Sequence, residues 1–154
     1  MTDFPAPSLK NRALRLLTRR DYTRAELIRR LSGADVDADE LNAVLDALER
    51  DGWLSDARAA ESLLRRRGAR LGGARVLHEL REKGVGGDLL EQAAQTLRGS
   101  ELERAQAVWR RKFGVPPADA KERARQLRFL AGRGFSGEVA YRVLRAAGDG
   151  DDGQ

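Results

Sequence analysis

Apolar residues recur along this chain three and four positions apart, the spacing of a helix face. Ala13, Leu14 and Leu17 mark a first helix from Leu9 to about Arg20, and Ala25, Leu27, Ile28 and Leu31 a second, Arg24–Leu31. Leu41, Val44, Leu45 and Leu48 mark a third that ends near Arg50. A fourth carries Ala60, Leu63 and Leu64 and ends in Arg65-Arg66-Arg67. A fifth, about Ala74–Lys83, carries Val76, Leu77 and Leu80, and a sixth Leu89, Leu90, Ala93 and Leu97. A seventh spans Ser100–Phe113, an eighth about Ala120–Gly132, and a ninth carries Val139, Val143 and Leu144. No stretch alternates apolar and polar residues long enough to be a strand, so the pattern predicts an all-α protein.

Start and stop signals frame these helices. Ser8 can cap the first, and Ser55 or Asp56 the fourth. Thr23 with Glu26, Asp37 with Glu40 and Ser100 with Glu103 have the spacing of capping boxes, with Val36 to Leu41 as a hydrophobic staple. Asp119 and Ser136 cap the eighth and ninth. Ser32-Gly33, Gly52, Gly84 and Gly134 are stops, and Gly114-Val115-Pro116-Pro117 closes the seventh helix because proline cannot continue it. Trp53 and Leu54 are expected to plug the joint after the third helix.

The stop signal repeats. Leu31, Leu80 and Leu130 lie 49 and 50 residues apart, each followed by glycine and then an apolar residue: Val36, Val85, Phe135. Val44, Ala93 and Val143 also superpose, as do Leu45, Ala94 and Leu144. A period near fifty predicts a tandem array of three three-helix repeats, elongated and curved, in which each module leans on its neighbour. The divisions fall at 9–54, 55–99 and 100–147. Residues 1–8, with Pro5 and Pro7, form a flexible lead, and 148–154 a disordered acidic tail.

Composition narrows the function. The 154 residues carry a formal charge of +5, and all but four of the 29 basic residues are arginine. Arginine's planar fork suits phosphate and carboxylate. The absence of cysteine excludes disulfides, thiol nucleophiles and Cys zinc sites. His78 is the single histidine, which excludes a dyad with a second histidine or a His-rich metal site. No apolar run approaches a membrane span, and no signal peptide is visible at the start, so a cytoplasmic protein is expected. No catalytic constellation emerges and no cofactor is implied.

The basic clusters carry the candidate chemistry. Arg65, Arg66 and Arg67 with Arg70 and Arg75 surround one loop. Arg110, Arg111 and Lys112 occupy the matching helix end in the third module, and Arg19, Arg20 and Arg24 that in the first. Basic residues near helix C-termini also complement the helix dipole. Three clusters in register favour instead a positive stripe for a polyanion. The third helix of the first two modules is poor in arginine, so contact with DNA should be phosphate-directed and weakly sequence-specific.

The run Gly52-Trp53-Leu54-Ser55-Asp56-Ala57-Arg58-Ala59-Ala60, then Arg67, then Glu79-Leu80-Arg81-Glu82-Lys83-Gly84-Val85, resembles the RecX family of bacterial recombinase regulators. So do Arg19-Arg20-Asp21-Tyr22-Thr23-Arg24-Ala25-Glu26-Leu27 and Arg128-Phe129-Leu130 with Arg133-Gly134-Phe135-Ser136. The resemblance covers about Leu9 to Ala147. It implies tandem three-helix repeats and a non-catalytic protein that binds the RecA filament on DNA. Such a protein would lodge in the filament groove and limit ATP hydrolysis, strand exchange and coprotease activity toward the LexA repressor. It also implies binding to single- and double-stranded DNA; a monomer is expected. Ala59 stands where the family often has Phe, and Gly86-Gly87 where a better cap is usual, which bears on local stability. The alternative is a general DNA-binding protein that acts through its basic stripe without RecA.

Overall fold

The computed structural model describes residues 7–151, and every regular element among them is a helix. In order these are α1 (Leu9–Leu17), α2 (Arg24–Leu31), α3 (Ala38–Arg50), α4 (Asp56–Gly68), α5 (Gly73–Glu82), α6 (Gly87–Lys112), α7 (Ala120–Gly132) and α8 (Gly137–Asp151). Contacts divide the chain into two units, one holding residues up to Ser62 with Lys83–Val85, the other holding Leu63–Glu82 and the chain from Gly86 onward. None of the helices is long and apolar enough to cross a membrane.

In the first unit α1, α2 and α3 pack pairwise. Their helical spacing turns Ala13, Leu27, Leu31, Leu41, Leu45 and Leu48 into one core, joined by Tyr22 and Leu54. The caps follow the sequence. Ser8 Oγ accepts from the Asn11 amide, and Ser55 Oγ from the Arg58 amide. Thr23 and Glu26 form the complete reciprocal box. Asp37 caps α3 through the Asp39 amide, without the reciprocal bond expected from Glu40.

Thr23 does more than cap. Its hydroxyl accepts from the Glu26 amide at 3.1 Å and donates to the Lys83 carbonyl at 2.5 Å, sixty residues away in sequence. Thr23 is 1% exposed. Gly84 follows at φ +83°, and a Cβ there would run into the Ala25 Cβ. A local capping motif and a helix-stop glycine thus meet and tie Lys83–Val85 into the first unit.

In the second unit α5 packs on α6, and α6, α7 and α8 pack on one another. Ala105, Val108, Trp109, Leu130, Phe135, Ala140, Val143 and Leu144 form one core. Asp119 Oδ1 accepts from the Glu122 amide and Ser136 Oγ from the Val139 amide, as expected. Trp109 Nε1 donates to the buried Gln126 Oε1 at 2.8 Å, so both polar groups are satisfied inside the unit.

The structure departs from the sequence expectations in several places. The sixth and seventh helices are one: α6 runs unbroken through Gly99 and Ser100. Ser100 caps nothing; its hydroxyl donates to the Thr96 carbonyl one turn back and accepts from Arg104 Nε. The expected division at 99/100 therefore falls inside a helix. Residues 148–151, expected to be disordered, extend α8, while Met1–Ala6 of the expected lead and 152–154 of the tail lie outside the described residues. α1 stops at Leu17, short of Arg20, where Thr18 Oγ1 donates to the Arg15 carbonyl. Leu54 is buried but Trp53 is 55% exposed. Gly52 (φ +85°) turns the chain there, and the Arg58 guanidinium holds the turn by donating to the Gly52 and Trp53 carbonyls. The first repeat's stop differs from the others: Ser32 ends α2 in an extended conformation, whereas Gly84 and Gly134 are left-handed.

Candidate polyanion-binding site

Twenty-nine cations and twenty-four acids do not pair at random in this fold. Some cations meet carboxylates, others such as Arg75 and Arg104 are held by backbone carbonyls, and a third group is tied to neither.

In the first unit Arg20 is fixed. Its Nη2 lies 2.8 Å from Glu26 Oε2, and its guanidinium sits 3.6 Å above the Tyr22 ring. Burial alone would raise the Glu26 carboxyl. Hydrogen bonds from Arg20 and the Thr23 amide, with the charges of Lys83 and Arg20, more than offset it and hold Glu26 below the usual carboxylate value. Arg24 is likewise engaged, with Asp46 at 2.7 Å and Glu49 at 3.2 Å. Its amide, at the start of α2, donates to Asp56 Oδ1. Arg19 is exposed and has no such partner among the described residues.

In the second unit Arg67 grips Glu79 with both Nε and Nη2, the shortest contact being 2.7 Å. This ion pair raises the Arg67 guanidinium further above its ordinary value. Arg75 donates to the Gly132 carbonyl at 2.8 Å, and its stem covers Gly134. Arg65 and Arg66 are exposed on the last turn of α4. Arg110 points away from its two neighbours, into a notch with Gln106, Trp109 and Val143.

The remaining candidates converge. Arg70, Arg111 and Lys112 line one cleft of about 310 Å³ together with Val108, Phe129 and Arg133. Lys112 Nζ lies 5.5 Å from the Phe129 ring centroid and the Arg133 guanidinium 5.1 Å from it. Phe129 is itself held edge-on by Phe113 at 5.3 Å. None of the four cations pairs with a carboxylate among the described residues. Two are braced on an aromatic face, which favours a fixed position over free rotation. Such a cleft can take phosphates or carboxylates.

Sequence reasoning missed Arg133 as a cleft residue, although it stands in the quoted Arg133-Gly134-Phe135 motif. It also missed Arg104. This side chain donates to the carbonyls of Gly68, Leu71 and Leu97 at 2.8, 2.6 and 3.0 Å, which shapes the loop that carries Arg70. Burial lowers its guanidinium from the ordinary value, with only Glu101 opposing. The single usable signal was Arg104's helical spacing from Ser100.

The helices, their repeat and the cleft define a class: an all-helical protein of tandem three-helix domains with an unneutralised basic cleft. Family models name the class more closely. The RecX first, second and third three-helix domains match residues 10–48, 55–93 and 100–144. The chain belongs to the RecX family. It is 51% identical over 143 residues to the regulatory protein RecX of Leptothrix cholodnii, covering 93% of this chain and 91% of that one. It is 48% identical over 149 residues to the regulatory protein RecX of Ralstonia nicotianae, covering 94% of each. Among solved structures, RecX from Lactobacillus salivarius shares the fold, with a TM-score of 0.76 at 19% identity over 90% of this chain and 94% of that one.

Proposed function

We propose that this protein is a non-catalytic regulator of the RecA recombinase that binds the RecA filament on DNA. Through that binding it inhibits or tunes ATP hydrolysis, strand exchange and coprotease activity. The observation that carries the site is the cleft of Arg70, Arg111, Lys112 and Arg133, four cations without a neutralising acid among the described residues. Arginines with a structural role here are tied to an acid, as Arg67 is to Glu79, or to backbone carbonyls, as Arg104 is. A polyanion or an acidic protein surface completes the neutralisation instead. The family and the names of its members supply the target.

The test is RecA's DNA-dependent ATP hydrolysis in the presence of the purified protein and of an Arg111→Ala/Lys112→Ala/Arg133→Ala variant. The unmodified protein should lower the rate and the variant should lower it less. No effect of the unmodified protein would sink the RecA reading, and equal inhibition by both would sink the cleft. Inhibition that vanishes when DNA is supplied in excess would favour a general DNA-binding protein that merely competes for DNA.

A further inference from the structure

The first unit holds a second group of arginines that pair with no carboxylate among the described residues. Arg12, Arg15, Arg19 and Arg30 surround a hollow of about 280 Å³ floored by Leu16 and Leu31. The acids of this unit that form ion pairs are taken elsewhere: Asp21 by Arg58, Glu26 by Arg20 and Lys83, and Asp46 and Glu49 by Arg24. No carboxylate among the described residues pairs with Arg12, Arg15 or Arg19. Arg30 rests 5.6 Å from the Tyr22 ring, the same ring that braces Arg20. Four like charges around one hollow repel, and the fold has acids enough to separate them. Leaving them together stores a preference for an anion.

The geometry points to a run of phosphates. Arg12, Arg15 and Arg19 follow one edge of α1 and the turn after it, at intervals of three and four residues. On a helix such steps advance roughly 4.5 and 6 Å. An anion that repeats every few ångströms, as a nucleic-acid strand does, meets each fork in turn. An acidic protein segment fits less well, because it would need an apolar anchor pocket. Of the two floor residues Leu31 is only 3% exposed and Leu16 is half-buried, so the apolar surface on offer is small.

We infer that Arg12, Arg15, Arg19 and Arg30 form a second backbone-phosphate site for single-stranded nucleic acid, separate from the cleft of the second unit. The inference rests on the nucleic-acid part of the reading above but needs no RecA. Arg20 and Arg24, the neighbours with the more conspicuous positions in the sequence, are spent on internal ion pairs.

The experiment is binding of a fluorescein-labelled oligothymidylate to the full chain without RecA, by anisotropy across a salt series. Arg12→Gln/Arg15→Gln/Arg19→Gln is compared with a control of equal charge loss, Arg81→Gln/Arg142→Gln/Arg145→Gln. Each lost phosphate contact lowers the slope of log K against log salt by about 0.7 for a single strand. The triple variant should therefore lose about 2 of slope and the control much less. Equal slopes for the two variants would overturn the inference. So would poly-glutamate that binds the unmodified protein as tightly as the oligonucleotide and loses that binding in the triple variant. Should the triple variant melt early, Arg15→Gln alone carries the test, with a slope loss of about 0.7 expected and no loss refuting it. Because RecA is absent, a negative result here leaves the ATPase test standing, and the reverse also holds.

Discussion

Replacing Thr23 with valine removes one oxygen and almost nothing else, and the fold should feel it strongly. The hydroxyl caps α2 through the Glu26 amide and donates to the Lys83 carbonyl. Half of the capping box survives, because the Glu26 carboxylate still accepts the backbone amide of residue 23 at 3.1 Å. The lost half of the cap costs about 1 kcal/mol. The Lys83 carbonyl loses its donor at a site where the threonine is 1% exposed, which costs about a further 1–2 kcal/mol. Thr23→Val should therefore destabilise the protein by about 2–3 kcal/mol. Thr23→Ser keeps both bonds and gives up one methyl, about 1 kcal/mol. Urea unfolding followed by far-UV circular dichroism reads both. A valine variant within 1 kcal/mol of the unmodified protein would refute the dual role, as would a serine variant equally damaged.

Gly72→Ala should be among the most damaging single changes. A Cβ there would overlap the backbone at Gly134 and Phe135, where the Gly72 amide donates to the Arg133 carbonyl at 2.8 Å. A loss of about 3–5 kcal/mol is expected in the same unfolding measurement. Arg104→Met keeps the length of the side chain but strands three carbonyls, so the melting temperature should fall and the loop at Arg70 should gain amide hydrogen exchange. Glu26 has a folded carboxyl below its ordinary 4.5, so its contribution is fully present above that value and is lost as pH falls through the lowered one. Stability measured between pH 6 and pH 3 should thus decline less steeply in Glu26→Gln than in the unmodified protein.

Much of the fold is legible because burial on a helix is periodic. The three anchor leucines at 31, 80 and 130 are all buried, as are Val85 and Phe135, and six of the expected side-chain caps bond an amide in the first turn. Legibility ends where a local signal has two outlets. Gly99-Ser100 reads as a stop and a cap, yet the Ser100 hydroxyl turns back to the preceding turn and the helix continues. Packing on both sides of that point decides the matter, and neither side is local. The candidate sites are limited in the same way. A count of arginines cannot show that Arg24 will meet Asp46 and Glu49 from another helix, or that Arg133 will join Arg111 and Lys112. Pairing across helices sorts tethered cations from open ones, and only the fold performs that sorting.

The continuity of α6 fixes a phase. Its 26 residues carry the end of the second matched domain and the start of the third on one axis. Each residue turns that axis by about 100° and advances it about 1.5 Å. One residue inserted or deleted between Leu97 and Glu103 would swing Ala105, Val108 and Trp109 off the face that meets α7 and α8. Arg111 and Lys112 would rotate away from Phe129 by the same angle. A flexible joint absorbs a change of length; a shared helix converts it into rotation. The seven residues from Leu97 to Glu103 act as a gear of fixed tooth number, in which length matters more than the identity of any side chain that faces solvent.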